Sequence, residues 1–116
     1  MSLNKAIAGL AASVLVASVG GCANAKEVAC PALSDTHLRY VQLFDGNPEE
    51  QVSLIADHSN SAQGYWKLGY VYDHGRSVTV RCVYADKQTR DIAISRRVDA
   101  CRYQIDASGT TKLDCE

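Results

Sequence analysis

The 116-residue chain carries 12 Lys and Arg against 13 Asp and Glu, a formal net charge of −1, and its basic residues are spread singly apart from Arg96-Arg97. That balance leaves no electrostatic footprint for nucleic acid, which excludes nucleic-acid binding as a reading. Five cysteines in so short a chain point to an oxidising compartment, and the length points to one domain.

In chain order, a polar start with Lys5, an apolar run from Ala6 to Val19 and the small residues Gly20 and Gly21 predict a signal peptide over 1–21. The run falls short of the roughly 20 residues needed to cross a bilayer, so it is not read as a permanent span. Val19-Gly20-Gly21-Cys22 resembles the lipobox of bacterial lipoproteins, although leucine is commoner where Val19 stands. The resemblance implies diacylglycerol on the Cys22 thiol, a membrane partner reached through that lipid, and an outer-membrane lipoprotein facing the periplasm. Ala23-Asn24-Ala25 offers the alternative of cleavage after residue 25 and a soluble periplasmic or secreted protein. Residues 22–26 read as a tether and 27–116 as a single domain. Either cut takes Cys22 out of the pairing pool and leaves an even set, Cys30, Cys82, Cys101 and Cys115.

From Glu27 onward the polarity alternates with period two and turn residues recur every 8 to 12 positions. The pattern predicts an all-β fold, a small antiparallel sheet, sandwich or partly open barrel stapled by two disulfides. Leu38, Tyr40 and Phe44 read as one face of a first strand ended by Asp45-Gly46. Asn47-Pro48-Glu49-Glu50 is a miniature helix start: Asn47 can cap, Pro48 has the right φ, and the glutamates suit the positive end of the dipole. At most one short helix, near 48–53, is expected. Val52 to Asp57 reads equally as strand or as the tail of that helix, and Ser59 to Gly64 as a loop.

Tyr65 to Tyr72 reads as the clearest strand, with Trp66, Leu68, Tyr70 and Tyr72 on one face. Asp73-His74-Gly75-Arg76 is expected to turn it back into a hairpin with Val78, Val80, Cys82 and Tyr84. Ile92 and Ile94 follow, then Cys101, Tyr103 and Ile105, and Asp106 to Gly109 closes a last hairpin to Leu113 and Cys115. If Ile105 faces Thr111 across that turn, Cys101 falls opposite Cys115. Four cysteines allow three pairings. The preferred set is Cys101 with Cys115 and Cys30 with Cys82.

Cys30-Pro31, Phe44-Asp45-Gly46-Asn47-Pro48-Glu49-Glu50, Tyr65-Trp66, Arg81-Cys82-Val83-Tyr84 and the closing Cys101 and Cys115 resemble the STY-type family of short, uncharacterised exported proteobacterial proteins. The resemblance implies an address and a disulfide framework, and it brings no catalytic residue.

Asp57-His58, Asp73-His74 and His37 invite a metal or acid–base reading, yet adjacent strand residues face opposite sides and no HExxH spacing occurs. Turn chemistry is the better account, and no metal or cofactor is called for. No G-x-S-x-G frame or C-x-x-C pair occurs, and Glu49-Glu50 is a helix start rather than a catalytic pair. Tyrosine and tryptophan supply contact area with a polar tip, so Tyr65 together with Asp73, His74 and Arg76 is the expected binding surface. The expected protein is a non-catalytic envelope module, structural or protein-binding, with an envelope protein as partner. An inhibitor or immunity protein against a cell-wall hydrolase is the alternative, and a small secreted enzyme the remote third.

Overall fold

A computed structural model describes residues 27–116. The expected signal peptide, Cys22 and its tether lie outside the described residues. The chain is mainly β, in two antiparallel sheets. One sheet joins β1 (Glu27–Val28), β9 (Thr111–Cys115), β8 (Ala100–Ile105), β5 (Gln63–Lys67) and β4 (His58–Ser59) in that order. The other joins β3 (Ser53–Leu54), β2 (Leu38–Asp45), β6 (Val78–Tyr84) and β7 (Thr89–Ile94). A 3-10 turn, Pro48–Glu50, and a short helix α1, Gly69–Asp73, are the other regular elements described.

The core grows from β6. Val78, Val80, Cys82 and Tyr84 alternate inward and are at most 2% exposed, so this strand has its apolar face shut off from water. Facing side chains from the five-stranded sheet include Trp66, Cys101, Leu113 and Cys115. Several bonds cross between the sheets and fix their separation. The Thr111 hydroxyl donates to the Arg39 carbonyl at 2.6 Å, and Trp66 Nε1 to the Leu54 carbonyl at 3.2 Å. Cys30, two residues beyond β1, is joined to Cys82 on β6. Tyr84 donates from its hydroxyl to the Pro31 carbonyl beside that bond, and burial pushes its phenol pKa up.

The last hairpin has Ile105 opposite Thr111 and Cys101 opposite Cys115, and the latter two are bonded. Asp106 organises its turn: one carboxylate oxygen accepts from Ser108 N, Ser108 Oγ and Thr110 N. These donors favour the charged form, the Ser108 hydroxyl most, and hold the Asp106 pKa below the ordinary carboxylate range.

Three expectations need correction. The strand expected over Tyr65 to Tyr72 stops at Lys67, and Gly69–Asp73 is helical. Leu68, Tyr70 and Tyr72 satisfy period two, but Leu68, Val71 and Tyr72 satisfy the helical i, i+3, i+4 spacing equally well. Burial decides between them: Leu68 and Val71 are each 1% exposed, whereas Tyr70 is 52% exposed. The second correction concerns Asp73-His74-Gly75-Arg76, which is not a hairpin turn. Gly75 N donates to the Tyr72 carbonyl and Arg76 N to the Val71 carbonyl, with Gly75 at φ +76°, a Schellman ending of α1. The strands on either side therefore belong to different sheets. Tyr72 instead closes the β6–β7 ladder, its hydroxyl donating to the Ile94 carbonyl at 2.7 Å and accepting from Val78 N at 3.3 Å.

The third correction lies in β2. A register shift between Leu38 and Tyr40 interrupts the alternation, so Leu38 and Leu43 are buried and Tyr40 is exposed. Phe44 is buried too, with the Arg81 guanidinium 5.3 Å from its ring centre. Asn47 caps as its sequence suggests, its Oδ1 accepting from Glu49 N at 2.9 Å.

Replacing Cys30 and Cys82 by serine is expected to cost roughly 4 kcal/mol, and the same change at Cys101 and Cys115 about 3 kcal/mol, measured by urea unfolding. The Asp106 carboxylate contributes stability above its unfolded pKa that is lost as pH falls through its lower folded pKa. Asp106→Asn is therefore expected to lower the unfolding midpoint at neutral pH and to leave it nearly unchanged at low pH, which flattens part of the acid-side decline.

Candidate functional site

The chemistry-bearing residues are scattered. The Asp57 carboxylate accepts from Lys67 N at 2.7 Å, while His58 stacks on Tyr65 with ring centres 5.9 Å apart. Asp73 pairs with Arg97, and His74 Nδ1 lies 2.7 Å from the Tyr70 carbonyl. The His37 carbonyl is taken by Ala85 N. Among the described residues no three His, Cys, Asp or Glu side chains converge as metal ligands.

The four residues expected to form a binding surface divide between two places. Tyr65 sits half-buried in β5, with cross-strand partners His58 on β4 and Arg102 on β8. Arg102 donates to Glu116 at 2.9 Å, so an aromatic and charged row runs across the outer side of the five-stranded sheet. Asp73, His74 and Arg76 lie at the end of α1. Arg76 donates from Nε to Asp45 at 2.6 Å and from Nη2 to Glu50 at 2.5 Å. Those two carboxylates, Asp45 foremost, raise its pKa, and this exposed ion pair clamps the helix exit to the 3-10 turn.

Sequence reasoning missed the most conspicuous surface feature. Between β3 and β4 the chain crosses from one sheet to the other, and at that crossing Ile55 is 90% exposed. Val52 and Tyr40, each 46% exposed, are also large apolar side chains open to solvent. Beside the crossing lies a groove of about 300 Å³ lined by Tyr40, Val41, Ala56, Trp66, Tyr103 and Ile105. Asp57 N donates to the Tyr65 carbonyl, which ties the crossing segment to the strand that carries Tyr65. Gly64 is needed opposite Tyr103 in the strand pairing because a side-chain carbon there would run into the Tyr103 ring and the His58 carbonyl. A signal for Ile55 was present: Leu54 and Ile55 are adjacent, and a strand can bury only one of two neighbours.

An apolar residue held in water beside an aromatic groove is the chemistry of a protein contact. Residues 32–116 match the family described as type VI secretion system Tli immunity protein. The chain belongs to the type VI secretion system Tli immunity protein family. The match covers nearly the whole described β domain of this Tli-family member. The match is compatible with the small exported family expected from the punctuation residues, and it does not confirm the STY-type family itself. Comparisons with curated proteins and with solved structures find no match.

Ile55→Asp is expected to change unfolding free energy by no more than about 0.5 kcal/mol, since the side chain is already in water. Gly64→Ala is expected to cost about 1–3 kcal/mol through the displaced Tyr103 ring. Urea unfolding of the two variants checks both.

Proposed function

We propose that this chain protects its producer by binding and blocking a protein toxin delivered by a type VI secretion system, with no chemistry of its own. The family match carries the reading, since an immunity protein acts by engaging a toxin. The surface supports it: the Ile55 crossing presents an apolar anchor, and the stacked pair Tyr65 and His58 offers aromatic contact on the outer side of the five-stranded sheet. Toxin binding gives the expected protein-interaction module a partner, and it favours the inhibitor reading over a purely structural one.

Disulfides suit an oxidising compartment, and the four cysteines of the domain are joined in two of them. The protein accordingly works on the periplasmic side, and a lipid on Cys22 would hold it against the membrane where an incoming toxin arrives.

A strain lacking the protein is expected to lose viability beside type VI-active siblings and to survive beside siblings whose secretion system is disabled. Restoring the wild-type gene is expected to restore survival, and restoring Ile55→Asp to do so poorly. Loss of one anchor weakens an interface by about 2 kcal/mol, roughly 30-fold in affinity. Equal survival of the deletion strain beside both kinds of sibling overturns the proposal.

A further inference from the structure

Among the described residues, β7 is the one edge strand longer than two residues; β1, β3 and β4 each have two. Its residues Thr89, Arg90, Asp91 and Ala93 are exposed. The ladder to β6 is regular, and its phase can be read at both ends. At one end Tyr84 N donates to the Gln88 carbonyl; at the other, Val78 N and the Ile94 carbonyl meet at the Tyr72 hydroxyl. Bonded pairs alternate in an antiparallel ladder, so Arg90 and Ile92 turn their main-chain groups toward β6 as Gln88 and Ile94 do. Thr89, Asp91 and Ala93 turn theirs away. The Arg90 side chain confirms that phase by reaching round to the outward Thr89 carbonyl, 2.9 Å from its Nη1.

An edge of this kind is a template for another strand, and side-chain charge decides which strands it admits. Residues 86–97 carry four basic side chains, Lys87, Arg90, Arg96 and Arg97, against two acidic, Asp86 and Asp91. Arg97 is taken by Asp73 and Asp99, so Lys87 and Arg90 are the basic groups of β7 and the turn before it, on a domain that outside residues 86–97 carries six basic against eleven acidic residues. Asp91 is matched by Arg81 at 2.8 Å, whereas Arg90 makes its hydrogen bonds to the neutral Thr89 carbonyl and Gln88 Oε1 and only helps, at longer range, to hold the Asp86 pKa down. With Asp91 matched by Arg81, Lys87 and Arg90 outweigh Asp86 and leave this edge net positive, so it repels basic segments, attracts acidic ones and disfavours a second β7 laid against the first.

We propose that the outer edge of β7 takes up an acidic, extended segment of the toxin by strand addition, with main-chain bonds at Asp91 and Ala93 and with Lys87 and Arg90 facing its carboxylates. The identity of the segment's owner rests on the immunity reading; the edge and its charge preference do not. β3 and β7 are opposite edges of one four-stranded sheet, about 14 Å apart by strand spacing, so a single partner can reach both this edge and the Ile55 crossing.

The test uses the purified domain and a synthetic ten-residue peptide of alternating glutamate and valine, with a lysine–valine peptide as control. The glutamate peptide is expected to slow hydrogen exchange at the Asp91 and Ala93 amides by about tenfold or more, with binding that weakens as salt rises. The lysine peptide is expected to do nothing. Ala93→Pro, which removes an outward N–H while leaving the ladder to β6 intact, and the surface charge reversal Lys87→Glu/Arg90→Glu should each abolish the effect. Protection by both peptides alike, protection at another edge, or protection of the same amides without peptide that vanishes on dilution overturns the proposal. In the sibling assay both variants should protect poorly. Survival at the wild-type level with both also overturns it. If wild type fails to protect while the glutamate peptide still binds at β7, the immunity reading falls and the edge stands.

Discussion

The fold depends on the inner face of β6. Val78, Val80, Cys82 and Tyr84 form a single apolar row at the centre of the core. A domain of this size buries too small a share of its surface for hydrophobic packing to suffice by itself, and the row is therefore also a covalent anchor. Cys82 binds Cys30, and Tyr84 binds the Pro31 carbonyl, so the segment that leads out of β1 is held at two adjacent points. The five-stranded sheet is stapled in turn by Cys101–Cys115 at the outer end of its last hairpin. Each half of the structure thus has a covalent tie, and the apolar row is where the halves meet.

With the interior so constrained, what remains for function is at the margins of the sheets. The crossing from β3 to β4 must span two layers in a few residues, and it leaves Ile55 on the outside because Leu54 and Ala56 take the inward places. Such an exposed residue adds little to folding. The ion pairs are distributed differently. Arg76 with Asp45 and Glu50, and Arg97 with Asp73 and Asp99, brace the two ends of α1 against neighbouring segments. They are exposed and individually weak, and they act as geometric braces more than as stores of stability.

Much of the domain was legible in advance where local rules are strict. The turn Asp106 to Gly109 has one sensible register, and counting outward from it places Cys101 opposite Cys115. The inward row of β6 is pure alternation, and the Asn47 cap follows from one side chain and one proline. Legibility failed where two periodicities coexist. Leu68 to Tyr72 fits both strand and helix spacing, and only the pocket that receives Val71 chooses. In β2 one shifted residue reverses the face of Tyr40, an event that alternation cannot announce. The binding surface suffered from the same gap: Tyr65 was visible as an aromatic on the outer side, but its separation from Asp73, His74 and Arg76 follows from α1, which the strand reading had erased.

The sequence by itself determined the β character, the even set of pairing cysteines, the Asn47 cap and the Asp106 turn, because period-two burial, cysteine parity and backbone preferences of Gly, Asn, Pro and Asp act locally along the chain. Only the tertiary structure decided which strands share a sheet, where the chain crosses between sheets, and hence that Ile55 stands in water and β7 keeps an open edge. Those outcomes depend on which distant surfaces bury one another, and residues that are far apart in sequence carry no local record of that choice.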